Sequence, residues 1–287
     1  EDMRARGVAH VYAYCVDNAL VQVGDPAYVG FCAARGCDAG AKVVPKAYPE
    51  EPVGVLTTRG GRVHVVEYSE LPPALATARD PRTGALRLNA ANIVLHYYSF
   101  AFLARCCDPE GPVQSSLVYH VARKKIPHVS ADGASTVTPG PDAAPNGVKL
   151  EAFIFDVYPY AEGGAGGTGG VAVLEGERGA DFAPVKNREG AGKDSPDTAR
   201  ALISALHRRW IEAAGGVVTG GAEEDADAGH SRPPAAPLMK HQVVEVSPAA
   251  SYGGEGLERR LKGKTVAAGM SLEEEEERPT TGGGGGE

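Results

Sequence analysis

The stretch AYCVDNALVQVGDP, residues 13–26, decides how the rest of the chain is interpreted. Apolar residues over 8–16 predict a buried strand, and this run stops at Asp17 and Asn18. Aspartate and asparagine favour turns, because their side chains bond to nearby backbone groups. A carboxylate at the carboxyl end of a strand in an open α/β sheet is also typical of a ligand site. Taken alone, the stretch leaves both interpretations open.

The composition is that of a globular protein with no affinity for polyanions. Of the 287 residues, 43% are hydrophobic, and the formal net charge is −8. No long basic stripe is present, so we expect no nucleic-acid partner. We also expect no membrane association, since no run of 18 apolar residues occurs and the start does not resemble a signal peptide. The five cysteines are odd in number and lie mostly in apolar runs, which predicts reduced thiols and a cytoplasmic protein.

Strand and helix patterns alternate along the chain, which predicts an α/β protein. Asp25 and Pro26 form a helix start. Residues 51–71 read as a hairpin that turns at Gly60 and Gly61. Further strands are expected at residues 41–44, 86–100 and 171–176, and helical spacing occurs over residues 150–158 and, most clearly, 198–214.

Shifts in composition divide the chain into three parts. Residues 1–197 carry the alternating pattern, after a start without an initiating Met that leads directly into a strand. This abrupt start predicts a piece of a longer protein. Residues 198–265 predict a helix and a small domain with an acidic, proline-rich insertion at 220–237. Residues 266–287 predict a disordered tail.

Several routes to chemistry are absent from the sequence. No G-x-S-x-G elbow or cysteine–histidine signature of a hydrolase occurs, and the glycine-rich segment 161–170 lacks the Lys-Ser/Thr ending of a phosphate loop. His96 and His120 are interpreted as packed or surface histidines rather than bases.

What remains is a set of polar residues that interrupt strands or strand ends: Asp17, Glu67, Asn89, Asn92, Lys149 and Lys186. Each alone has a local explanation, such as a turn, a strand end or a solvated face. Together, carboxylates, amides and lysines are what a nucleotide-sugar site with a divalent metal requires.

Specific motifs then resemble a known family. YCVDNALVQVGDPAYVGFC, GAKVVPKAYPEEPVGV, VVEYSEL, LNAANI, KKIPHV, PNGVKLEAFIFD, FAPVKNREGAGKDSPDTAR and SYGGEGLE occur in that order between about residues 8 and 260. They resemble the eukaryotic UDP-N-acetylglucosamine pyrophosphorylases. The resemblance implies a Rossmann-like nucleotidyltransferase fold with a mostly parallel central sheet, similar to the GT-A fold, and a small C-terminal domain. Residues 1–197 would be the C-terminal part of its catalytic domain.

The resemblance also implies roles for the residues at the matching positions. Asp17 corresponds to the metal-binding acid and would hold Mg²⁺ at the nucleotide phosphates. Gly54 matches the glycine that contacts the N-acetyl group. Glu67, with Tyr68 beside it, matches the carboxylate that binds sugar hydroxyls, and Asn92 matches the asparagine that holds the sugar.

Two lysines complete the implied site. Lys149 corresponds to the lysine on the UTP phosphates, and Lys186 to the lysine on the sugar 1-phosphate. The implied reaction converts UTP and N-acetylglucosamine 1-phosphate into UDP-N-acetylglucosamine and pyrophosphate. Asp17, Lys149 and Lys186 would share the charge neutralisation that such a transfer needs.

The sequence also departs from the family pattern. The glycine-rich loop that wraps the triphosphate is absent, so we expect a fragment truncated at its N-terminal side and inactive alone. Two alternatives stay open. One is a non-catalytic remnant that binds nucleotide sugars. The other is a pyrophosphorylase for a different sugar 1-phosphate, from N-acetylgalactosamine or glucose, since Gly54 and Asn92 do not separate the gluco and galacto forms.

Overall fold

The structure of the chain is a computed structural model that describes residues 1–140, 142–162, 170–220 and 242–273. It divides into two compact units. The first, called the sheet unit, comprises Glu1–Tyr14 and Asp25–Glu175. The second unit comprises Cys15–Gly24 and Gly176–Glu287. The predicted insertion and most of the predicted tail lie outside the described residues.

The described residues of the sheet unit form four short helices and ten strands, numbered in chain order. The helices are α1 (Asp2–Ala5), α2 (Pro26–Ala34), α3 (Pro73–Ala76) and α4 (Phe100–Cys106). The strands are β1 (His10–Tyr14), β2 (Ala39–Pro45), β3 (Val55–Arg59), β4 (Arg62–Val66), β5 (Ala90–Ser99), β6 (His120–Lys124), β7 (His128–Val129), β8 (Thr136–Val137), β9 (Gly147–Glu151) and β10 (Val171–Glu175).

Six of these strands form a mixed sheet with β5 near its centre. β5 runs antiparallel to β1, β2 and β3, and β3 runs antiparallel to β4. Only the β10–β2 pair of this sheet is parallel. The prediction of a mostly parallel sheet is therefore wrong for the described residues. The reason is that β5 is reversed against each neighbour, and that the two-residue turn between β3 and β4 enforces an antiparallel hairpin.

Strand β5 is interrupted where it passes β2. Lys42 lies opposite Leu95, but the next residue, Val43, lies opposite Asn92. The residues between them on β5 form a bulge, and Val94 takes a positive φ of 55°. Bulges re-aim side chains, and this one lies directly beside Asn92.

Local sequence signals explain the best-predicted elements. The Asp25 side chain accepts hydrogen bonds from the amides of Ala27 and Tyr28 at 3.1 and 3.0 Å, which caps α2 as expected. Gly60 and Gly61 have φ of 58° and 77° and form the tight turn between β3 and β4. A two-residue turn of this hand needs positive φ at both positions, which glycine adopts without strain.

The helix predicted over residues 150–158 is not formed. Leu150 lies in β9, opposite Val121 of β6, and a 3₁₀ turn follows at Tyr158–Tyr160. Leu150 and Glu151 pair with β6, the amides of Asp156 and Tyr158 bond within the segment, and the Asp156 side chain accepts the Phe153 amide at 2.7 Å. The apolar spacing reflects burial of individual residues such as Phe155 and Tyr158 in the core of the sheet unit.

The second unit is built on one long helix. Its helices are α5 (Arg178–Asp181), α6 (Pro196–Ala213) and α7 (Glu258–Leu261), and its strands are β11 (Val217–Thr219), β12 (Glu245–Val246), β13 (Thr265–Ala267) and β14 (Ser271–Leu272). A capping box between Ser195 and Thr198 starts α6, close to the predicted boundary. Ile211 of α6 packs with Leu257 and Val266 in a small core.

The described structure extends into the segment that was predicted as a tail. β13 and β14 occupy part of this segment, residues 266–287, because Val266 is buried against α6 and α7.

In the described part of the chain, no helix combines the length and apolar character needed to cross a membrane.

Candidate functional site

The structure brings Gly54, Glu67 and Asn92 together in the sheet unit. The Gly54 carbonyl accepts a hydrogen bond of 2.8 Å from the backbone amide of Asn92, which joins the residue before β3 to β5. A Cβ atom on Gly54 would lie 2.7 Å from Glu67 Oε1 and 3.0 Å from Val65 Cγ1. The Glu67 carboxylate therefore lies against the open face of the glycine. Gly54 thus joins Glu67 and Asn92 in one cluster, called the sugar cluster after the role that the family resemblance implies for these residues.

The Asn92 side chain is held by its oxygen. It is 6% exposed, and Oδ1 accepts hydrogen bonds from His96 Nε2 at 2.8 Å and from the Val94 amide at 3.2 Å. The second bond satisfies the backbone group freed by the bulge in β5. Among the described residues, the side-chain nitrogen Nδ2 of Asn92 has no hydrogen-bond partner. Its two donors are therefore available to a ligand.

His96 is a neutral support for Asn92 rather than a base. Its side chain is fully buried, and burial lowers its pKa to about 3. The proton of the neutral ring lies on Nε2, because its partner, Asn92 Oδ1, can only accept, whereas the Tyr98 hydroxyl beside the ring donates its own proton to the Ile154 carbonyl at 2.9 Å. The rings of Tyr98, Phe155 and Tyr158 enclose it. Sequence reasoning treated His96 as a packed residue and missed its link to Asn92, although the even spacing along β5 was a signal.

Tyr68 and Lys149 are more exposed members of the predicted site. Tyr68 follows Glu67 and is 49% exposed. Lys149 lies on β9, opposite Ala122, and its Nζ is 2.7 Å from Glu151 Oε1. The hydrogen bond from Lys149 lowers the pKa of the Glu151 carboxyl. In this structure the charge of Lys149 is thus balanced by a neighbour on the same strand.

Asp17 and Lys186 belong to the second unit. The Asp17 carbonyl accepts the Val185 amide at 2.8 Å, so the two segments run side by side. Both charges act on the half-buried Cys15, whose pKa is raised by burial and by Asp17 and lowered by Lys186. The opposite charges of Asp17 and Lys186 thus lie around one thiol.

Asp17 and Asn18 have different roles in the turn after β1. The Asn18 side chain donates to the Asp181 carbonyl at 2.8 Å and accepts the amides of Leu20 and Ala183 at 3.2 and 2.9 Å. The turn interpretation therefore accounts for Asn18. The Asp17 carboxylate accepts no hydrogen bond from the described residues, so the turn does not account for it.

The Asp17 carboxylate can serve a divalent metal ion only as one ligand among several. No group of three or more His, Cys, Asp or Glu side chains able to hold a metal exists in the described ranges. A zinc centre or a calcium cage built from protein ligands is therefore not present there. A single free carboxylate does fit Mg²⁺, which takes one or two carboxylates and completes its shell with phosphate oxygens and water.

Comparisons with known proteins identify the family of the chain. Residues 1–188 match the model of the UTP–glucose-1-phosphate uridylyltransferase family. The chain is 42% identical over 279 residues to the human UDP-N-acetylhexosamine pyrophosphorylase-like protein 1, covering 96% of this chain and 51% of that protein. It is 42% identical over 270 residues to UDP-N-acetylglucosamine diphosphorylase 1 of Arabidopsis thaliana, covering 93% and 46%.

A solved structure shows the same fold. The uridine diphosphate N-acetylglucosamine pyrophosphorylase from Trypanosoma brucei superposes with a TM-score of 0.66 at 30% identity, over 90% of this chain and 46% of that one. The chain spans about half the length of the curated relatives it matches, 49% and 51% of the first two. Since the family match covers residues 1–188 of 287, the chain belongs to the UTP–glucose-1-phosphate uridylyltransferase family.

Proposed function

We propose that this chain carries the sugar-binding and part of the phosphate-binding machinery of a uridylyltransferase. The enzyme would convert UTP and N-acetylglucosamine 1-phosphate into UDP-N-acetylglucosamine and pyrophosphate. The observation that carries the proposal is the sugar cluster, in which Gly54, Glu67 and Asn92 meet. The names of the relatives, UDP-N-acetylhexosamine and UDP-N-acetylglucosamine pyrophosphorylases, support the choice of sugar nucleotide.

The sugar cluster offers complementary groups for an N-acetylhexosamine. The Glu67 carboxylate accepts hydrogen bonds from sugar hydroxyls, and the Asn92 amide donates to a hydroxyl or carbonyl oxygen. Gly54 lets the Glu67 carboxylate approach the backbone closely, because no Cβ fills that space. Tyr68, exposed beside Glu67, adds an aromatic surface and a hydroxyl.

The charged residues match the requirements of phosphoryl transfer. A phosphate oxygen of the sugar 1-phosphate attacks the α-phosphorus of UTP, and the bond from that phosphorus to the bridging oxygen of the β-phosphate breaks. The electron pair leaves with pyrophosphate. Lys149 would bind the nucleotide phosphates and Lys186 the sugar phosphate, which holds two anions together despite their repulsion.

Asp17 would hold Mg²⁺ through its free carboxylate. The ion supplies positive charge to the phosphate oxygens when it is bound. Phosphoryl transfer between such anions needs positioning and charge neutralisation more than a covalent intermediate, so no nucleophilic side chain is required. We propose a cytoplasmic location on the ground of the reduced cysteines.

The first test measures pyrophosphate release by the 287-residue chain with UTP, N-acetylglucosamine 1-phosphate and Mg²⁺. The variant Asp17→Asn removes the metal-binding charge, and Asp142→Asn, an exposed aspartate outside the site, is the matched control. Release that is lost in Asp17→Asn and kept in Asp142→Asn supports catalysis by this chain.

A second measurement separates binding from turnover. Calorimetry gives the affinity for UDP-N-acetylglucosamine, UDP-N-acetylgalactosamine and UDP-glucose. Binding without release would make the chain a nucleotide-sugar-binding protein, and a preference for UDP-glucose would change the substrate. If the chain shows no binding and no pyrophosphate release, the proposal for this chain is refuted.

A further inference from the structure

His120, the first residue of β6, lies between two carboxylates. Its Nδ1 is 2.9 Å from Glu70 Oε1, and its Nε2 is 3.0 Å from Asp156 Oδ1. An ionised carboxylate accepts hydrogen bonds and does not donate them. Both nitrogens of the ring must therefore carry a proton for both bonds to form. The geometry calls for an imidazolium ion at this position.

Glu70 connects His120 to the sugar cluster. The amides of Glu70 and Leu71 donate to the Glu67 carbonyl at 2.9 and 3.0 Å, which makes residues 67–71 a closed turn. The Glu67 side chain at the start of this turn lies against Gly54. A bond that holds Glu70 therefore also holds the backbone that carries Glu67.

Asp156 connects His120 to the support of Asn92. Its second oxygen accepts the Phe153 amide at 2.7 Å, and the Phe153 ring lies 5.0 Å from the His120 ring. Phe153 stacks on Phe155 at 4.8 Å, and Phe155 contacts His96, the residue that donates to Asn92. Contiguous packing thus runs from His120 through Phe153 and Phe155 to His96, which supports Asn92.

His120 also begins the hairpin that carries Lys149. β6 pairs with β9, so that His120 lies opposite Glu151 and Ala122 opposite Lys149. The position of this hairpin sets where the Lys149 ammonium lies.

We propose that His120 is a positioning residue whose imidazolium clasps the turn 67–71 to the β6–β9 hairpin, and so fixes Glu67 and Lys149 for a nucleotide sugar. Its effect on ligand binding rests on the proposed function. The clasp itself is a property of the free protein and is tested there.

The charges around His120 determine its response to pH. Besides Glu70 and Asp156, the surrounding groups are Glu151, which is paired with Lys149, then Lys124 on β6, and His64, which lines the same cavity. Burial alone would lower the pKa of His120, but the hydrogen bonds to Glu70 and Asp156 outweigh it and raise the pKa. A raised folded pKa means that the clasp is complete below the usual histidine value. It is lost as the pH rises through the folded value.

The test uses hydrogen–deuterium exchange of the ligand-free 287-residue chain at pH 6.0 and 9.0, corrected for the intrinsic rate. We expect peptides covering residues 67–71 to be protected at pH 6.0 and to lose about tenfold protection at pH 9.0, as for a lost charge-assisted bond. His120→Gln keeps a polar side chain without the charge and should show the unprotected rate at both values. His128→Gln, an exposed histidine on β7, is the matched control and should behave as wild type.

Binding and titration complete the test. The affinity for UDP-N-acetylglucosamine should fall between pH 6.5 and 9.0 in wild type and be low and constant in His120→Gln. If His120→Gln does not fold, Glu70→Gln removes one carboxylate charge from a half-exposed side chain and should lower the His120 pKa measured by NMR.

Protection of residues 67–71 that is independent of pH and of His120, or an unchanged His120 pKa in Glu70→Gln, would overturn the inference. Absence of nucleotide-sugar binding at every pH would instead refute the proposed function. The exchange experiment would still decide on the clasp.

Discussion

The sugar cluster and the two lysines that are proposed to bind phosphates are built in opposite ways. Asn92 is buried and held by His96, and Gly54 and Glu67 are in contact. Lys149 and Lys186 are exposed, and their positions depend on flexible side chains. The difference teaches that a buried, directional group needs a preorganised support, whereas long charged side chains can reach a ligand from solvent.

The largest expected effect is a loss of folding stability at low pH, which arises from His96 in the buried region. His96 is buried with a pKa of about 3, whereas an unfolded histidine titrates near ~6.5. Because the unfolded chain binds this proton and the folded chain does not, stability falls as the pH drops through this interval. The loss for this residue is about 5 kcal/mol over the whole interval, of which about 3 kcal/mol falls above pH 4. Urea unfolding from pH 7 to 4 measures this part.

The control is His96→Phe, which keeps an aromatic ring and removes the titrating group. Its free energy of unfolding should fall less steeply with decreasing pH than that of wild type. Equal slopes would show that His96 titrates freely, and the contrast between the buried and exposed regions would then fail.

Gly54→Ala is expected to have the next largest effect. The new Cβ would lie 2.7 Å from Glu67 Oε1, so the carboxylate must move away. We expect unfolding to become easier by about 1–3 kcal/mol, as for other overpacked sites, and binding of UDP-N-acetylglucosamine to weaken strongly. Calorimetry and urea unfolding measure the two effects.

Gly30→Ala is the matched control for this change. Gly30 lies in α2, and no atom is within 4 Å of its added Cβ. Alanine there should stabilise the helix by up to about 1 kcal/mol and leave binding unchanged. If Gly54→Ala behaved in the same way, the contact with Glu67 would have no importance for the site.

Asn92→Asp tests the free amide with a smaller change. Aspartate keeps the acceptor for His96 and the Val94 amide but removes both donors. Binding of UDP-N-acetylglucosamine should weaken about tenfold, because one hydrogen bond to the ligand is lost and the new carboxylate repels the ligand's acceptor groups. Asn92→Ala removes the acceptor as well and should cost about 1–3 kcal/mol of stability, because His96 Nε2 is left unsatisfied. Unaltered affinity in Asn92→Asp would remove Asn92 from the site.

The lysines are expected to have the smallest effect on stability. Lys149→Met and Lys186→Met should change the free energy of unfolding by no more than ~0.5 kcal/mol, since exposed ion pairs contribute little. Affinity for UDP-N-acetylglucosamine should fall several-fold, and the decrease should shrink with added salt. Lys264→Met, at an exposed lysine before β13, is the control. A loss of stability without a loss of affinity would reverse the comparison.

Local signals predicted several elements well. Asp25 caps α2, Gly60 and Gly61 form the hairpin turn, and the Ser195–Thr198 box starts the long helix near the expected residue. These features depend on bonds between residues close in sequence, so the local chain is sufficient to specify them.

Predictions that depended on distant partners were less accurate. Residues 150–158 have helical spacing, but β6 pairs with Leu150 and its neighbours. The mostly parallel sheet was inferred from resemblance, and the reversal of β5 against its neighbours made it mixed. The strand before Asp17 is only half-buried, and it ends at Tyr14, earlier than the apolar run suggests.

By itself, the sequence determined the family motifs, the capped helices, the hairpin turn and the chemical types of the candidate residues. Only the tertiary structure decided that Gly54, Glu67 and Asn92 meet, that His96 supports Asn92, and that His120 lies between Glu70 and Asp156. The physical reason is that these contacts join residues separated by many positions. Their geometry follows from strand register, the bulge in β5 and core packing, none of which the local chain encodes.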